Sequence, residues 1–148
     1  MSLKLYFLNG PNLNLLGERE PEIYGTATLS DLEKLANEAA QEEKAQLDFR
    51  QTNHEGELVD WVQEARDQAQ ALILNAAAYT HTSVALHDAL KALTIPVVEV
   101  HLSNPSNTES FRKRNFVSPC ANGVIAGFGP LGYRLGVSAA AALARQRS

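Results

Sequence analysis

The feature that most constrains this chain is an alternation of short apolar runs with segments of helical period. The apolar runs are rich in branched and aromatic residues, as expected of strands that are buried on both faces. The segments between them repeat apolar residues at the spacing of helices packed on a sheet. The predicted strands are Leu3 to Asn9, Leu47 to Thr52, Ala71 to Asn75, Val97 to His101 and Gly123 to Gly127.

Strands that alternate with helices predict βαβ units and a parallel sheet. We therefore expect an α/β fold, a flavodoxin-like open doubly wound sheet of five parallel strands with helices on both faces. Such sheets bind ligands beyond the carboxyl ends of their strands. Helix starts are predicted at Thr28 or Ser30, at Asn53, at Thr82 or Ser83 and after Pro130, and the last helix at Leu131 to Arg147.

Length, charge and cysteine usage narrow the functional class. The 148 residues, 45% of them hydrophobic, predict one catalytic domain over residues 1–148. A net charge of -4 gives no long-range attraction for nucleic acid or an anionic membrane, so neither is an expected partner. The single cysteine, Cys120, allows no internal disulfide and suits a reducing compartment, and the start of the chain lacks a signal segment. We expect a cytoplasmic protein.

Familiar cofactor and metal patterns do not fit this chain. Gly127, Gly129 and Gly132 spell G-x-G-x-x-G, but the chain beyond Gly132 is too short for the second strand and acidic residue of a dinucleotide site. We expect a tight turn with close helix packing there. The histidines show no paired-ligand spacing. The sequence therefore predicts no metal and no cofactor.

The fourth predicted strand carries an acid and an imidazole two residues apart. Glu99 and His101 lie on one side of the strand because side chains alternate along it. A carboxylate beside an imidazole favours the protonated ring, which predicts an oriented general acid. The alternative is an ion pair without a chemical role, although such a pair is costly on a buried apolar strand.

The connection after the first strand, Gly10 to Gly25, is longer than usual. It contains Arg19 and Tyr24, with glycines on both sides, so it can close over a site as a lid. An adjacent arginine would lower the pKa of Tyr24 from the ordinary value of about 10 and make it a usable base. The alternative is a turn tyrosine that packs on the surface beside a solvated arginine.

Polar groups follow the third and fourth strands. The turn after His101 presents backbone N–H groups and the Ser103 hydroxyl, where a carboxylate fits. Asn75, at the end of the third strand, can bond the same ligand. His81 is either a further ligand contact or a surface residue beside a helix cap.

Four segments in one order resemble the type II 3-dehydroquinate dehydratases, over nearly the whole chain. The residues that carry the resemblance are Asn9-Gly-Pro-Asn-Leu-Asn-Leu-Leu-Gly17 with Arg19-Glu-Pro and Tyr24-Gly25, Asn53-His-Glu-Gly-Glu57, Tyr79-Thr-His-Thr-Ser83, Glu99-Val-His-Leu-Ser-Asn104, and Gly127-Phe-Gly with Gly132-Tyr133.

The resemblance implies a lyase that eliminates water from 3-dehydroquinate to give 3-dehydroshikimate through an enolate, without a Schiff base. It implies that Tyr24, ionised beside Arg19, is the base, that Asn12 stabilises the enolate through a water, and that His101, supported by Glu99, is the acid. The implied substrate contacts are Asn75, Ser103 and the Leu102 backbone for the carboxylate and His81 and Arg112 for the ring hydroxyls.

The resemblance also implies an assembly. Asp88 corresponds to a residue that reaches a neighbouring subunit's site, in a homododecamer built from trimers. The chain departs from the family pattern at Ala76-Ala77-Ala78, His87 and Thr108. These positions bear on substrate affinity and on subunit contacts, while the proposed acid and base are kept.

Two other functions remain open from the residues. A flavodoxin-like binding or signalling module would use the same scaffold, but it has no need to combine Arg19, Tyr24 and His101. A different cofactor-free lyase or isomerase could use the same enolate chemistry on a related cyclic acid. Both biosynthesis of aromatic compounds and breakdown of quinate would use the reaction that the resemblance implies.

Overall fold

Five strands form one all-parallel sheet in the computed structural model, which describes residues 3–18, 25–104 and 109–147. The bounds agree with the predicted strands to within two residues at each end. In chain order, the strands are β1 Leu3–Asn9, β2 Ala45–Gln51, β3 Ala71–Asn75, β4 Val97–His101 and β5 Gly123–Ala126.

The strand order is β2-β1-β3-β4-β5, which confirms the flavodoxin-like prediction. β1 lies between β2 and β3, with Asn9 opposite both Gln51 and Asn75. The chain leaves β1 toward one edge of the sheet and later returns to build the other half from β3. The loops after β1 and β3 therefore diverge, and this divergence opens the crevice in which sheets of this type bind ligands.

In the described part of the chain, four α-helices cover the two faces of the sheet: α1 Leu29–Glu42, α2 Glu55–Gln68, α3 Val84–Lys91 and α4 Leu131–Arg147. Thr28 caps α1 in a capping box with Asp31, and Ser83 caps α3 by accepting the Leu86 N–H at 2.9 Å. α2 begins at Glu55 after His54, not at Asn53 as predicted. The Asn53 side chain instead accepts the backbone N–H of Asn12.

The alternation along the strands divides the core into two layers. Leu5 and Phe7 of β1 pack in the layer beneath α1 and α4, whereas Tyr6 and Leu8 pack in the layer beneath α2 and α3. On β4, Val98 and Val100 belong to the first layer and Val97 to the second. Glu99 shares the parity of Val97, so its carboxylate lies on the α2/α3 side. None of the helices within the described ranges has the length and hydropathy to cross a membrane.

Candidate active site

β4 places Glu99 and His101, here called the acid pair, at the carboxyl edge of the sheet. Glu99 is only 1% exposed, while the side chain of His101 at the strand end is 13% exposed. The Nε2 atom of His101 is in hydrogen-bond contact with Glu99 Oε2. Because the carboxylate occupies Nε2, the Nδ1 atom at the other side of the ring is the one available to exchange a proton with a ligand.

The carboxylate of Glu99 is bonded at both oxygens. Oε2 also accepts a hydrogen bond from Asn115 Nδ2 at 2.9 Å, and Oε1 accepts one from the Ser118 hydroxyl. Burial acts to raise the pKa of Glu99, but the hydrogen bonds from His101, Ser118 and Asn115 outweigh it and hold the pKa below its ordinary value. Glu99 is therefore an anion at neutral pH, and it holds the His101 ring through the hydrogen bond at Nε2.

Asn12 is placed by the backbone that follows β1. It lies in the left-handed region with φ 68°, and its carbonyl accepts the Leu15 N–H at 3.0 Å in a short 3-10 turn over Leu13–Leu15. Its own N–H donates to Asn53 Oδ1 at 3.0 Å. Gln51 Nε2 donates to the same oxygen at 3.1 Å and also to the Gly10 carbonyl. The loops after β1 and β2 are thus joined, with Asn12 exposed at their surface.

Gly10 sets how closely β1 and β3 approach at this edge. Its N–H donates to the Asn75 carbonyl at 2.8 Å. A Cβ at position 10 would lie 2.3 Å from the Ala76 carbonyl oxygen, so only glycine fits. The approach brings the Asn12 loop beside the end of β3.

The Asn75 side chain is hydrogen-bonded to other groups of the protein, and the residue is only 3% exposed. Its Nδ2 donates to the Tyr133 hydroxyl at 2.9 Å, and its Oδ1 accepts the Ala77 N–H at 3.2 Å. The Tyr133 hydroxyl in turn donates to Asn9 Oδ1 at 2.6 Å. An asparagine amide has two N–H groups, so one remains for a ligand. Burial raises the pKa of Tyr133 well above its ordinary value, which keeps this hydroxyl protonated.

The turn after β3 carries Tyr79 and His81 on a 3-10 segment, Ala77–His81. The Tyr79 hydroxyl donates to the Asn53 carbonyl at 2.7 Å, which ties this turn to the loop after β2. His81 Nδ1 donates to the Arg114 carbonyl at 2.8 Å. A carbonyl only accepts, so the neutral ring carries its proton on Nδ1 and leaves Nε2 as the acceptor.

The loop after β4 contributes Leu102 and Ser103. The Leu102 carbonyl accepts the Gly129 N–H at 2.9 Å, so this loop is fastened to the turn between β5 and α4. Gly127 and Gly129 in that turn have φ 90° and 59°, as the predicted tight turn requires. Ser103 is half-buried. Arg112 lies in a further short 3-10 turn, Ser110–Arg112, and its Nε atom forms an ion pair with Glu109 Oε2 at 2.8 Å.

Of the remaining predicted residues, only Asp88 lies in the described part of the chain. Asp88 is exposed on α3 and lines a groove of about 480 Å³ between α2 and α3. Arg19 and Tyr24 lie outside the described residues, as does Thr108. Within the described ranges, no group of three or more His, Cys, Asp or Glu side chains is arranged to bind a metal ion.

The sequence interpretation missed the groups that support the predicted ones. Asn115 and Ser118 bond Glu99 from 16 and 19 positions away, and Tyr133 bonds Asn9 from 124 positions away. No local pattern marks such contacts. Asn53 had a signal, because it opens a segment of the resemblance, but it was interpreted as a helix start.

Comparisons with known proteins identify the family of this chain. The chain matches the family model described as Dehydroquinase class II over residues 3–141. It is 58% identical over 145 residues to a 3-dehydroquinate dehydratase of Phenylobacterium zucineum (strain HLK1), covering 98% of this chain and 100% of the relative. It is 61% identical over 144 residues to a 3-dehydroquinate dehydratase of Hyphomonas neptunium, covering 95% and 94%.

A solved structure gives the same result. The type II dehydroquinase of Propionibacterium acnes superposes with a TM-score of 0.91 at 42% sequence identity, covering 96% of this chain and 98% of that one. Sequence and fold agree over nearly the whole length. The chain belongs to the class II dehydroquinase family.

Proposed function

We propose that this chain is a lyase that eliminates water from 3-dehydroquinate to give 3-dehydroshikimate, without a metal or an organic cofactor. The observation that carries the proposal is the contact of the buried Glu99 with the partly exposed His101 at the carboxyl edge of the sheet, the edge that also carries the Asn12 loop and Asn75 at the end of β3. The family assignment fits the same chemistry. One domain, residues 1–148, contains all the proposed groups.

His101 acts as the general acid in this proposal. The elimination breaks a C–O bond, and the departing hydroxyl needs a proton to leave as water. The ring Nδ1 atom supplies that proton, while Nε2 stays bonded to Glu99. The anionic carboxylate stabilises the charged ring before the transfer and fixes its orientation throughout.

Tyr24 acts as the base, with Arg19 beside it. The phenolate removes the proton alpha to the ketone, and the electrons of the C–H bond move to the carbonyl oxygen as an enolate. The enolate oxygen then re-forms the ketone, and the electrons of the enolate C=C bond form the new C=C bond. The C–O bond breaks as its electrons leave on the hydroxyl oxygen, which His101 protonates to water. A neighbouring guanidinium favours the phenolate that this step requires.

The remaining roles concern the substrate. Asn12 stabilises the enolate oxygen through a water, which its exposed position at the edge of the crevice permits. The second N–H of Asn75, the Ser103 hydroxyl and the Leu102 N–H bind the carboxylate. His81 and Arg112 bond the ring hydroxyls, and Arg112 is already oriented by Glu109.

We further propose that Asp88 acts outside its own subunit, in a cytoplasmic homododecamer of trimers. Its exposed position on the α2/α3 groove leaves the carboxylate accessible to another copy. The reaction serves the shikimate pathway of aromatic amino acid biosynthesis or the breakdown of quinate, since both would use it.

The deciding experiment mixes the purified protein with 3-dehydroquinate and follows the ultraviolet absorbance of the conjugated enone. We expect the enone with the native chain and none with Tyr24→Phe, which should still bind the substrate. Arg19→Ala should shift the basic limb of the pH profile. Activity should survive EDTA and borohydride, because neither a metal nor an imine takes part.

Two results would contradict the proposal. Binding of 3-dehydroquinate without any enone from the native chain would favour a binding module on the same scaffold. Near-normal turnover by Tyr24→Phe would remove this tyrosine from the mechanism while leaving the reaction in place.

A further inference from the structure

Two side chains from one distant segment hold the carboxylate of the acid pair. Asn115 and Ser118 lie between the 3-10 turn at Ser110–Arg112 and β5, and together they bond both oxygens of Glu99. Val117 between them is fully buried in the α2/α3 layer of the core. The segment therefore covers Glu99 on the face of the sheet opposite α1 and α4.

Glu99 depends on these donors because its partners on the neighbouring strands are apolar. Its register partners are Leu74 on β3 and Val124 on β5, neither of which offers a side-chain hydrogen bond. A buried carboxylate loses its hydration, and an ionised form is stable there only if its lone pairs are bonded. Among the described residues, the hydrogen bonds recorded at this carboxylate come from His101, Asn115 and Ser118. His101 is the only titratable group among the three.

Asn115 performs two tasks with its two amide atoms. Its Oδ1 accepts the N–H groups of Val117 and Ser118, each at 2.8 Å, which fixes the turn that presents the Ser118 hydroxyl. Its Nδ2 donates to Glu99 Oε2, the same oxygen that His101 contacts. The turn and the carboxylate are therefore one unit.

We propose that Asn115 and Ser118 are positioning residues for the elimination, which fix the Glu99 carboxylate so that it orients His101 as the acid. The inference rests on the proposed role of His101. Neither side chain contacts the reacting atoms, and both act through Glu99. Their loss should lower kcat with little effect on KM, because the acid is used in the transition state and adds little to substrate binding.

Four variants separate positioning from packing. Ser118→Ala removes one donor, and Ser118→Thr keeps the hydroxyl. Asn115→Asp keeps the Oδ1 acceptor for the turn but replaces the amide donor with a group that repels Glu99. Ser138→Ala, at an exposed site on α4, makes the same atomic change as Ser118→Ala away from the pair.

We expect Ser118→Ala and Asn115→Asp to lower kcat by about tenfold or more and to change KM less than about threefold. Both changes raise the pKa of Glu99, by losing a donor in one case and by adding a like charge in the other. The acid limb of the kcat profile, where Glu99 takes up a proton, should therefore move to higher pH. Ser118→Thr should restore most of kcat, and Ser138→Ala should match the native chain.

A second readout does not require turnover. The proton shared between His101 Nε2 and Glu99 should give a downfield proton NMR signal in the native chain, identified by its loss in His101→Ala. The signal should weaken in Ser118→Ala and Asn115→Asp and persist in Ser118→Thr. Circular dichroism checks that each variant is folded.

The outcomes distinguish the two proposals. An unchanged kcat, acid limb and NMR signal in both Ser118→Ala and Asn115→Asp would overturn the positioning role. A parallel loss of kcat and rise of KM, unrecovered by Ser118→Thr, would also overturn it and indicate packing alone. If the native chain produces no enone, the proposed function fails, and the NMR signal still decides whether these two residues hold the pair.

Discussion

The acid pair on β4 and the Asn12 loop after β1 reach the same edge of the sheet by different means. Glu99 and His101 are placed by the period of one strand and are then fixed by side chains from a distant segment. Asn12 is placed mainly by the backbone, through its left-handed conformation, a 3-10 turn and the close approach of Gly10 to Ala76, and one side chain, that of Asn53, accepts its N–H. We therefore expect side-chain changes at the first region to lower activity. We expect backbone changes at the second region to destabilise the fold.

The largest expected effect is that of His101→Ala. Loss of a general acid should lower kcat by at least about 100-fold, while the fold and KM stay near native values. The measurement is enone formation under steady-state conditions. His54→Ala removes an exposed imidazole and serves as the control. A kcat within a few-fold of the native value would exclude His101 as the acid.

Gly10→Ala tests the backbone half of the comparison. The added Cβ would lie 2.3 Å from a carbonyl oxygen that cannot rotate away, so β1 and β3 must separate. We expect a loss of about 3 kcal/mol in the free energy of unfolding. Denaturant titration at matched protein concentration measures it. Gly56→Ala, which meets no atom within 4 Å in helix α2, should be neutral or stabilising, and equal losses at both sites would refute the argument.

Tyr133→Phe tests a side chain beneath the second region, because the Tyr133 hydroxyl bonds the ends of β1 and β3. The change leaves Asn9 and Asn75 each without one partner in the buried interior. We expect a loss of about 2 kcal/mol in unfolding free energy, together with a raised KM as Asn75 loses its orientation. Tyr79→Phe removes a hydroxyl bonded near the surface and should cost less. A native KM for Tyr133→Phe would separate Asn75 from the substrate.

The smallest expected effect is on the acid stability of the fold. The folded-state pKa of Glu99 lies below its ordinary value of 4.5, so this carboxylate stabilises the fold fully above that value. The contribution is lost as the pH falls from 4.5 through the lowered pKa. The difference in unfolding free energy between the native chain and Glu99→Gln should therefore shrink over that window. A difference that is constant with pH would mean that Glu99 is not held as an anion.

Local patterns were enough to predict the parts of the site that lie on single elements. The alternation of β4 placed Glu99 and His101 on one side, and the structure confirms their contact. Neighbouring residues also predicted a helix start at Thr28 or Ser30, of which Thr28 is the cap, and the glycine turn before α4. These features depend on interactions between residues a few positions apart, so the local sequence is enough to predict them.

The sequence alone determined the order of strands and helices, the parallel direction of the strands and the placement of Glu99 and His101 on one side of β4. It could do so because backbone periodicity and steric preference act locally. Only the tertiary structure decided which side chains hydrogen-bond to Glu99 and to the ends of β1 and β3. Asn115, Ser118 and Tyr133 gain their partners when segments far apart in the chain are packed together. Burial makes these hydrogen bonds important for stability, because a polar group that is removed from water is costly unless another group of the protein bonds to it. Which group does so depends on how the distant segments pack.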